Sequence, residues 1–306
     1  MAKFRAFKGV RYNLDVVDGG LVVSPPYDVI DQKLQQTLYD RHDNNIVRII
    51  QGKTTPDDDE SENVYIRAQT TYRNWLNDGV LKVDETPALY VYTQTFDVPT
   101  PAGVNRKSRQ GLVGLVEIEK LGEGGIHPHE NTMPGPKKDR LELMRHTEAA
   151  FGQIFSLFSD PDYHVRSLLE PHVQASPLFQ FDDSDGVNHA FWRVDDPKTV
   201  ERVCAFIATC ELFIADGHHR YETAVNYRDE RLSGGGEDGA GYCYRMQTLV
   251  NMDDSEGMAI NPIHRVVTDV SPGDLDLLRK RLGDFFEMDE MAFDDVDKVT
   301  QEIASR

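Results

Sequence analysis

Leu212-Phe213-Ile214-Ala215-Asp216-Gly217-His218-His219-Arg220, followed by Tyr221-Glu222-Thr223-Ala224-Val225, is the stretch whose reading decides the fold class. Leu212 to Ala215 is an unbroken apolar run and reads as a buried strand. Asp216 to Arg220 is a turn, and Tyr221 to Arg231 reads as a helix with Tyr221, Ala224 and Val225 on one side. A helix start carries free N–H groups and a partial positive charge, so it holds anions. Gly217 permits a sharp turn and close approach of a ligand. His218, His219 and Arg220 add side-chain donors there, and the arginine fork matches phosphate. The competing reading is an ordinary Asp-Gly turn with exposed polar side chains, and spacing alone leaves both open.

Upstream, Gly122 to Gly125 opens a loop that carries His127-Pro128-His129-Glu130. Two histidines and a carboxylate are a possible ligand set for a metal. Glu130 on a constrained loop also fits a general base. A loop with surface histidines is the third reading. A metal-dependent hydrolase would use His127, His129, His218 and His219. Asn131 to Pro136 is punctuated by proline and glycine. A helix follows over Lys137 to Phe151, with Leu141, Met144, Thr147/Glu148 and Phe151 as its stripe and Pro136 in its first turn. Ile154 to Phe158 reads as a buried strand.

The rest of the chain alternates between the two periods. Leu21-Val22-Val23 reads as the end of a strand, and Pro25-Pro26 forces an extended exit from it. Helices are predicted over Asp31 to Asp40, Asn63 to Asn77 and Pro197 to Thr209. Strands are predicted over Asn45 to Ile50, Ala88 to Phe96, Leu112 to Ile118 and Ala190 to Val194. Pro99 to Gly103 is a turn region that would pair Ala88 to Phe96 with Leu112 to Ile118 antiparallel. Pro56 to Glu62 reads as an acidic, solvated turn and Gly234-Gly235-Gly236 as a loop. The fold class is therefore α/β, in the α+β sense.

The 306 residues amount to about two average domains. With 52 acidic against 33 basic residues the formal net charge is -19. That balance argues against general nucleic-acid binding and against an anionic membrane surface as partner. It fits solubility, or adaptation to a salty cytoplasm. The start, Met1 to Tyr12, lacks a signal-peptide core, and no apolar run approaches the ~20 residues that span a bilayer. Cys204, Cys210 and Cys243 are odd in number and have no CxxC spacing, so they read as small buried hydrophobes in a reducing cytoplasm.

Several separated stretches carry a resemblance. They are Ser24-Pro25-Pro26-Tyr27-Asp28-Val29-Ile30, Asn45-Ile46-Val47-Arg48, His129-Glu130 with Thr132, Asp139-Arg140-Leu141, Ala215 to Glu222, and Pro262 with His264-Arg265. Together they resemble a bacterial and archaeal domain-of-unknown-function family often labelled ParB-like, over nearly the whole chain. Members of that family continue well past residue 306, and Gln301 to Arg306 reads as an interrupted region.

A more distant likeness is to ParB-type nucleotide-binding domains, sulfiredoxin and the free-serine kinases. Those kinases carry Asp-Gly-His-His-Arg, as stands at Asp216 to Arg220, and an upstream His-Glu pair, as stands at His129-Glu130. The likeness covers about Ile126 to Glu230. It implies that Gly217, His218, His219 and Arg220 hold the phosphates of ATP or ADP. It implies that Glu130 activates an acceptor hydroxyl, and that Asp216 is catalytic, with Mg²⁺ engaged through it. The implied fold is a ParB/sulfiredoxin-like core with a C-terminal extension over 121–306. A larger, partly antiparallel elaboration would occupy 1–120. The implied function is nucleotide-dependent phosphoryl transfer to a small hydroxyl compound, serine first. The alternative is a nucleotide-binding regulatory module of ParB type without kinase activity. The implied partners are a nucleotide and a small-molecule substrate. A DNA-binding helix-turn-helix of the ParB kind is not evident.

Overall fold

The computed structural model describes residues 3–100, 103–258 and 269–288. In chain order the strands are β1 (Phe4–Arg5), β2 (Val10–Tyr12), β3 (Leu81–Val83), β4 (Leu89–Thr100), β5 (Gly103–Glu117), β6 (Ile126–His127), β7 (Ile154–Phe158), β8 (Phe179–Asp182), β9 (Asn188–Val194), β10 (Leu212–Asp216) and β11 (Tyr244–Asn251). The helices are α1 (Gly19–Val22), α2 (Gln32–Arg41), α3 (Val47–Ile50), α4 (Val64–Asn77), α5 (Pro134–Thr147), α6 (His164–Val173), α7 (Pro197–Ile207), α8 (His218–Ser233) and α9 (Pro272–Gly283). The fold is mixed α/β. One nine-stranded mixed sheet runs in the order β6-β10-β7-β11-β5-β4-β9-β8, with β1 added on β5, and β2 and β3 form a small antiparallel pair. Strands from both sides of residue 120 share the large sheet. None of the described helices is long and apolar enough to cross a membrane.

The chain separates into two compact units. Of the described residues, one holds 3–96 and 107–258, and the other holds 97–100, 103–106 and 269–288. Within the second unit, Arg106 lies 3.2 Å from Asp97, and Ser271 caps α9 by accepting from the Asp274 N–H.

Register in the first unit fixes what each sheet face does. Leu112, Leu249, Ser156 and Ile214 form one cross-strand row. Their face packs against helices through Val165 and Leu169 of α6, Val203 and Ile207 of α7, and Tyr221 and Ala224 of α8. Val113, Thr248 and Phe155 form the adjacent row on the opposite face. That face lines a cavity. A second apolar cluster joins Val22, Ile49, Ala68, Trp75, Leu81 and Leu143, so α1, α3, α4 and α5 share a core of their own.

Four predicted elements differ in the structure. Leu21 to Val23 is not a strand end, because Gly19–Val22 forms one helical turn capped by Asp18. Asn45 to Ile50 is not a strand either; Val47–Ile50 is a helical turn. Buried Asn45 accepts from the Val47 N–H at 3.0 Å and starts that turn. Four apolar residues around Arg48 fit either period, and here the buried Asn45 side chain decides. Leu212 to Ala215 is a strand but is not buried throughout. Leu212 and Ile214 are buried, whereas Phe213 is 40% exposed, because β10 is flanked on one side by only the two-residue edge strand β6.

α5 begins at Pro134 and ends at Thr147, earlier than predicted, because Glu148 takes a left-handed φ of 53°. Phe151 therefore lies beyond the helix and packs edge-on against Tyr72, while Leu143 takes the buried place. The three cysteines are free; Cys243 is buried, and Cys204 and Cys210 are partly buried.

Candidate functional site

β10 delivers Asp216 to the start of α8 through Gly217, whose φ of 97° is easy only for glycine. A Cβ there would stand 3.1 Å from Arg220 Nη2 and 3.1 Å from Ile154 Cδ1. No side chain caps the first turn of α8, so its positive end is not neutralised by a side chain, although Gly217 and His218 are themselves buried. Arg220 donates to the Gln153 carbonyl and pairs with Asp216.

The turn residues divide between two surroundings. Asp216, Arg220 and Thr223 line the large cavity. His218, His219 and Glu222 instead hold the loop that follows β6. His218 is 2% exposed, and its Nε2 accepts from the His129 N–H at 3.2 Å. The neutral ring therefore carries its proton on Nδ1, which lies 3.5 Å from Glu130 Oε2. His129 donates from Nδ1 to the Ile214 carbonyl at 2.7 Å and meets the His218 ring edge-on at 4.5 Å. Its Nε2 lies 3.7 Å from Glu130 Oε1. Two imidazoles thus bracket a Glu130 carboxylate that is itself 61% exposed. Burial, and next the neighbouring His129, hold His218 below the usual histidine range, against the pull of Glu130.

Three further bonds fix the same loop. His219 Nε2 accepts from the Met133 N–H at 2.9 Å. Thr132 and Lys137 donate to Glu222 at 2.6 and 2.7 Å. Partial burial opposes ionisation of Glu222, but the Lys137 and Thr132 hydrogen bonds outweigh it and hold its carboxyl below the usual range.

The cavity measures about 890 Å³. Its lining contains five arginines, Arg11, Arg109, Arg140, Arg220 and Arg245, against two carboxylates, Glu148 and Asp216. Arg11, Arg140 and Arg220 are paired with Asp84, Asp139 and Asp216, and among the described residues Arg109 and Arg245 have no carboxylate partner, which in a chain of net charge -19 makes the cavity a place for an anion. Four of the resemblance stretches reach it, through Ser24 to Tyr27, Ile46, Arg140, and Asp216 with Arg220. Ser24, Pro25, Pro26 and Tyr27 form one part of the wall. Asn45 holds the segment before them by donating to the Leu21 and Val23 carbonyls at 2.8 and 2.9 Å. Arg140 lies over the Tyr27 ring at 4.2 Å and donates to the Ile50 carbonyl at 2.7 Å. Asp139 accepts from the Tyr65 hydroxyl at 2.9 Å. Pro262, His264 and Arg265 lie outside the described residues.

Elsewhere the wall is aromatic. Phe179 stacks on Phe191 at 4.9 Å, Phe191 on Tyr90 at 5.3 Å, Phe181 on His189 at 5.1 Å and His189 on Tyr92 at 5.9 Å. All six rings line the cavity. Arg109 donates to Gln94 Oε1 at 2.6 Å and lies 5.1 Å from the centre of the Phe155 ring; burial lowers its pKa.

Fold and site together define a mixed α/β protein with an arginine-rich, aromatic-walled cavity beside an uncapped helix N-terminus. The chain belongs to the family described as Protein of unknown function (DUF1015), whose model it matches over residues 4–304. No curated protein and no solved structure matches it.

Of the residues singled out from sequence, the structure brings Glu130 to His218 and places Asp216 and Arg220 in the cavity wall. It does not place Glu130, His218 or His219 in that wall. Among the described residues no group of three or more His, Cys, Asp or Glu side chains is placed to hold a metal ion. Arg245, Arg140, Arg109 and the six rings were not legible as site residues. The available signal for Arg245 was its parity, since it shares a face with buried Gln247 and Leu249.

Proposed function

We propose that this protein binds a nucleotide in the cavity and transfers a phosphoryl group from it to a small hydroxyl compound, with serine the first candidate. One observation carries the reading. The uncapped start of α8 delivers Asp216 and Arg220 to a cavity whose wall also holds four further arginines and a set of stacked rings. Stacked rings suit a nucleobase. Arginines suit its phosphates. The kinship with free-serine kinases and the ParB/sulfiredoxin core, expected from Asp216 to Arg220 and His129-Glu130, belongs to this proposal.

In the reaction, the acceptor oxygen forms a bond to the terminal phosphorus while the bond to the departing nucleotide oxygen breaks, and the hydroxyl proton passes to Glu130. Phosphoryl transfer needs mainly positioning and charge stabilisation. Arg220 would hold the terminal phosphate, the positive end of α8 would favour its charge, and Asp216 would flank it. Glu130 stands beside His218 on the loop side of Gly217, so the acceptor would approach from that side. Magnesium, if bound with the nucleotide, would supply positive charge to its phosphates. Asp216 would supply one carboxylate oxygen, and phosphate and water oxygens would supply the rest, which suits the few protein ligands this metal takes.

The test is a calorimetric titration with ADP and ATP in the presence of Mg²⁺, beside an assay for phosphoserine. Expected are nucleotide binding by the wild type and by Glu130→Gln, with turnover falling ~10²–10⁴-fold in the variant. Full activity in Glu130→Gln removes the mechanism. The absence of Glu130 from the cavity wall favours a second reading, a nucleotide-binding regulatory module. Nucleotide binding with no product from any of a panel of hydroxyl compounds selects it. No observation favours the metal-dependent hydrolase.

A further inference from the structure

We infer that Arg245 is the second guanidinium of a phosphate seat, acting with Arg220 at the end of the cavity where β7 begins. Arg245 is only 4% exposed. Its Nη2 donates to the Gly152 carbonyl at 2.6 Å, while Nε and Nη1 have no hydrogen-bond partner. The charged group that acts on it is Arg220, a like charge. Burial pushes its pKa down to about 10, which still leaves a cation at neutral pH. Arginine does not escape burial by losing its proton as lysine does. A buried guanidinium with two unpartnered donor nitrogens and no counter-charge is unfavourable, and an anion at this end of the cavity would complete it.

The backbone explains how this side chain reaches the cavity. By register Arg245 lies opposite Val116 on the helix-facing side of the sheet. β7 starts at Ile154, opposite Gln247, so no residue of β7 covers Arg245. Gly152 and Gln153 run past instead, and both line the cavity with Arg245, Arg220 and Thr223. Arg220 binds the Gln153 carbonyl and Arg245 binds the Gly152 carbonyl. Two consecutive carbonyls thereby hold two guanidiniums in proximity. Asp216 neutralises Arg220 and leaves Arg245 without a partner. A carboxylate brings one negative charge, whereas a phosphomonoester or terminal phosphate brings nearly two at pH 7 with three acceptor oxygens, enough to engage both forks.

That the phosphate's carrier is a nucleotide rests on the proposed function; the seat itself does not. The probe is therefore inorganic pyrophosphate, titrated by calorimetry and followed by thermal unfolding. Arg245→Met removes the charge at similar length, and Arg245→Lys keeps the charge and removes the fork. Expected are a rise in the wild-type melting temperature with pyrophosphate, binding roughly tenfold or more weaker in Arg245→Lys, and no rise in Arg245→Met. Without ligand, Arg245→Met should melt at or above the wild-type temperature, since it removes an uncompensated buried charge. A purely structural arginine would give the reverse, a lower melting temperature with the pyrophosphate response intact.

Should Arg245→Met not fold, the wild-type Arg245 Nε–H resonance, assigned by its loss in Arg245→Lys, decides. It should move on adding pyrophosphate. No movement, no wild-type binding at millimolar pyrophosphate, or an undiminished response in Arg245→Lys each overturn the seat. Comparing ADP with phosphoserine as ligands separates a nucleotide from a phosphorylated small molecule as carrier. A protein that binds pyrophosphate through Arg245 and makes no phosphoserine loses the kinase reading and retains this inference.

Discussion

Arg220 and His218 are two residues apart, yet the helix sends them into different surroundings, and they make different predictions. Arg220 lines the cavity and holds the Gln153 carbonyl. Arg220→Ala should weaken nucleotide binding by about 1.5–3 kcal/mol, the range for hydrogen bonds to charged groups. Calorimetric titration with ADP measures it, and unchanged affinity would place the phosphates elsewhere. His218 is buried as a neutral ring, and its folded pKa lies below the ordinary value. Between the folded value and about 6.5, the value for an unfolded chain, the unfolded state binds more protons. The contribution of His218 to stability is thus fully present above pH about 6.5 and is lost as the pH falls through the window below it. In His218→Gln a carbonyl oxygen can replace Nε2 as acceptor for the His129 N–H. Urea midpoints measured at pH 7.5 and 5.5 should differ less in that variant than in the wild type. An equal difference in both would mean that His218 does not titrate on unfolding.

At the scale of elements, two short joints decide where the site residues stand. Gly217 turns β10 into α8 with a backbone that a side chain resists. Gly217→Ala should lower stability by about 1–2 kcal/mol from the left-handed conformation alone. It should also press on Arg220, since the added Cβ would lie 3.1 Å from Nη2. Thermal unfolding tests the first effect and ADP titration the second; a variant that melts with the wild type would show the turn to be unstrained. The second joint is Asn45, which is fully buried and bonds the Leu21 and Val23 carbonyls and the Val47 N–H. Asn45→Ala leaves those groups unsatisfied, at about 1–3 kcal/mol for each that water cannot reach. It should also loosen the Ser24–Tyr27 wall, so limited proteolysis should cut near Pro25 in the variant and not in the wild type. The second joint is where local reading of the sequence failed. Leu21-Val22-Val23 and Asn45 to Ile50 are apolar runs too short to show a period, and a buried asparagine set their conformation.

For the molecule as a whole, charge separates the surface from the site. The chain is acidic overall, while the cavity lining holds five arginines and two carboxylates. Anionic ligands meet a repelling surface and an attracting interior. Raising ionic strength should therefore speed their association by screening the surface, with a smaller effect on dissociation from the buried arginines. Stopped-flow binding of a fluorescent ADP analogue across a salt series measures it; association that slows with salt contradicts it. Added Mg²⁺-nucleotide at ~100 times its dissociation constant should stabilise the fold by about 2.7 kcal/mol. A thermal scan without any shift would leave the cavity without a nucleotide.

The sequence by itself determined the mixed α/β class, the helices of Asp31 to Asp40 and Asn63 to Asn77, the strands from Ala88 to Phe96 and Leu112 to Ile118, and the strand, glycine turn and helix at Leu212 to Arg231. Each is a local matter of period, cap and turn, carried by neighbours along the chain. It also marked Glu130 and the Asp216–Arg220 turn, because their residue types are unusual together. Only the tertiary structure decided which of these share a surface. Helix geometry turns Arg220 and Thr223 toward the cavity and His218, His219 and Glu222 toward the loop, a division that depends on what packs around α8. The cavity itself is drawn from Tyr27, Arg140, Phe191 and Arg245, residues up to two hundred and more positions apart whose meeting rests on sheet register. Arg245 shows the limit most plainly. In sequence it is one arginine in a strand; its open donors follow from β7 starting two residues too late to cover it.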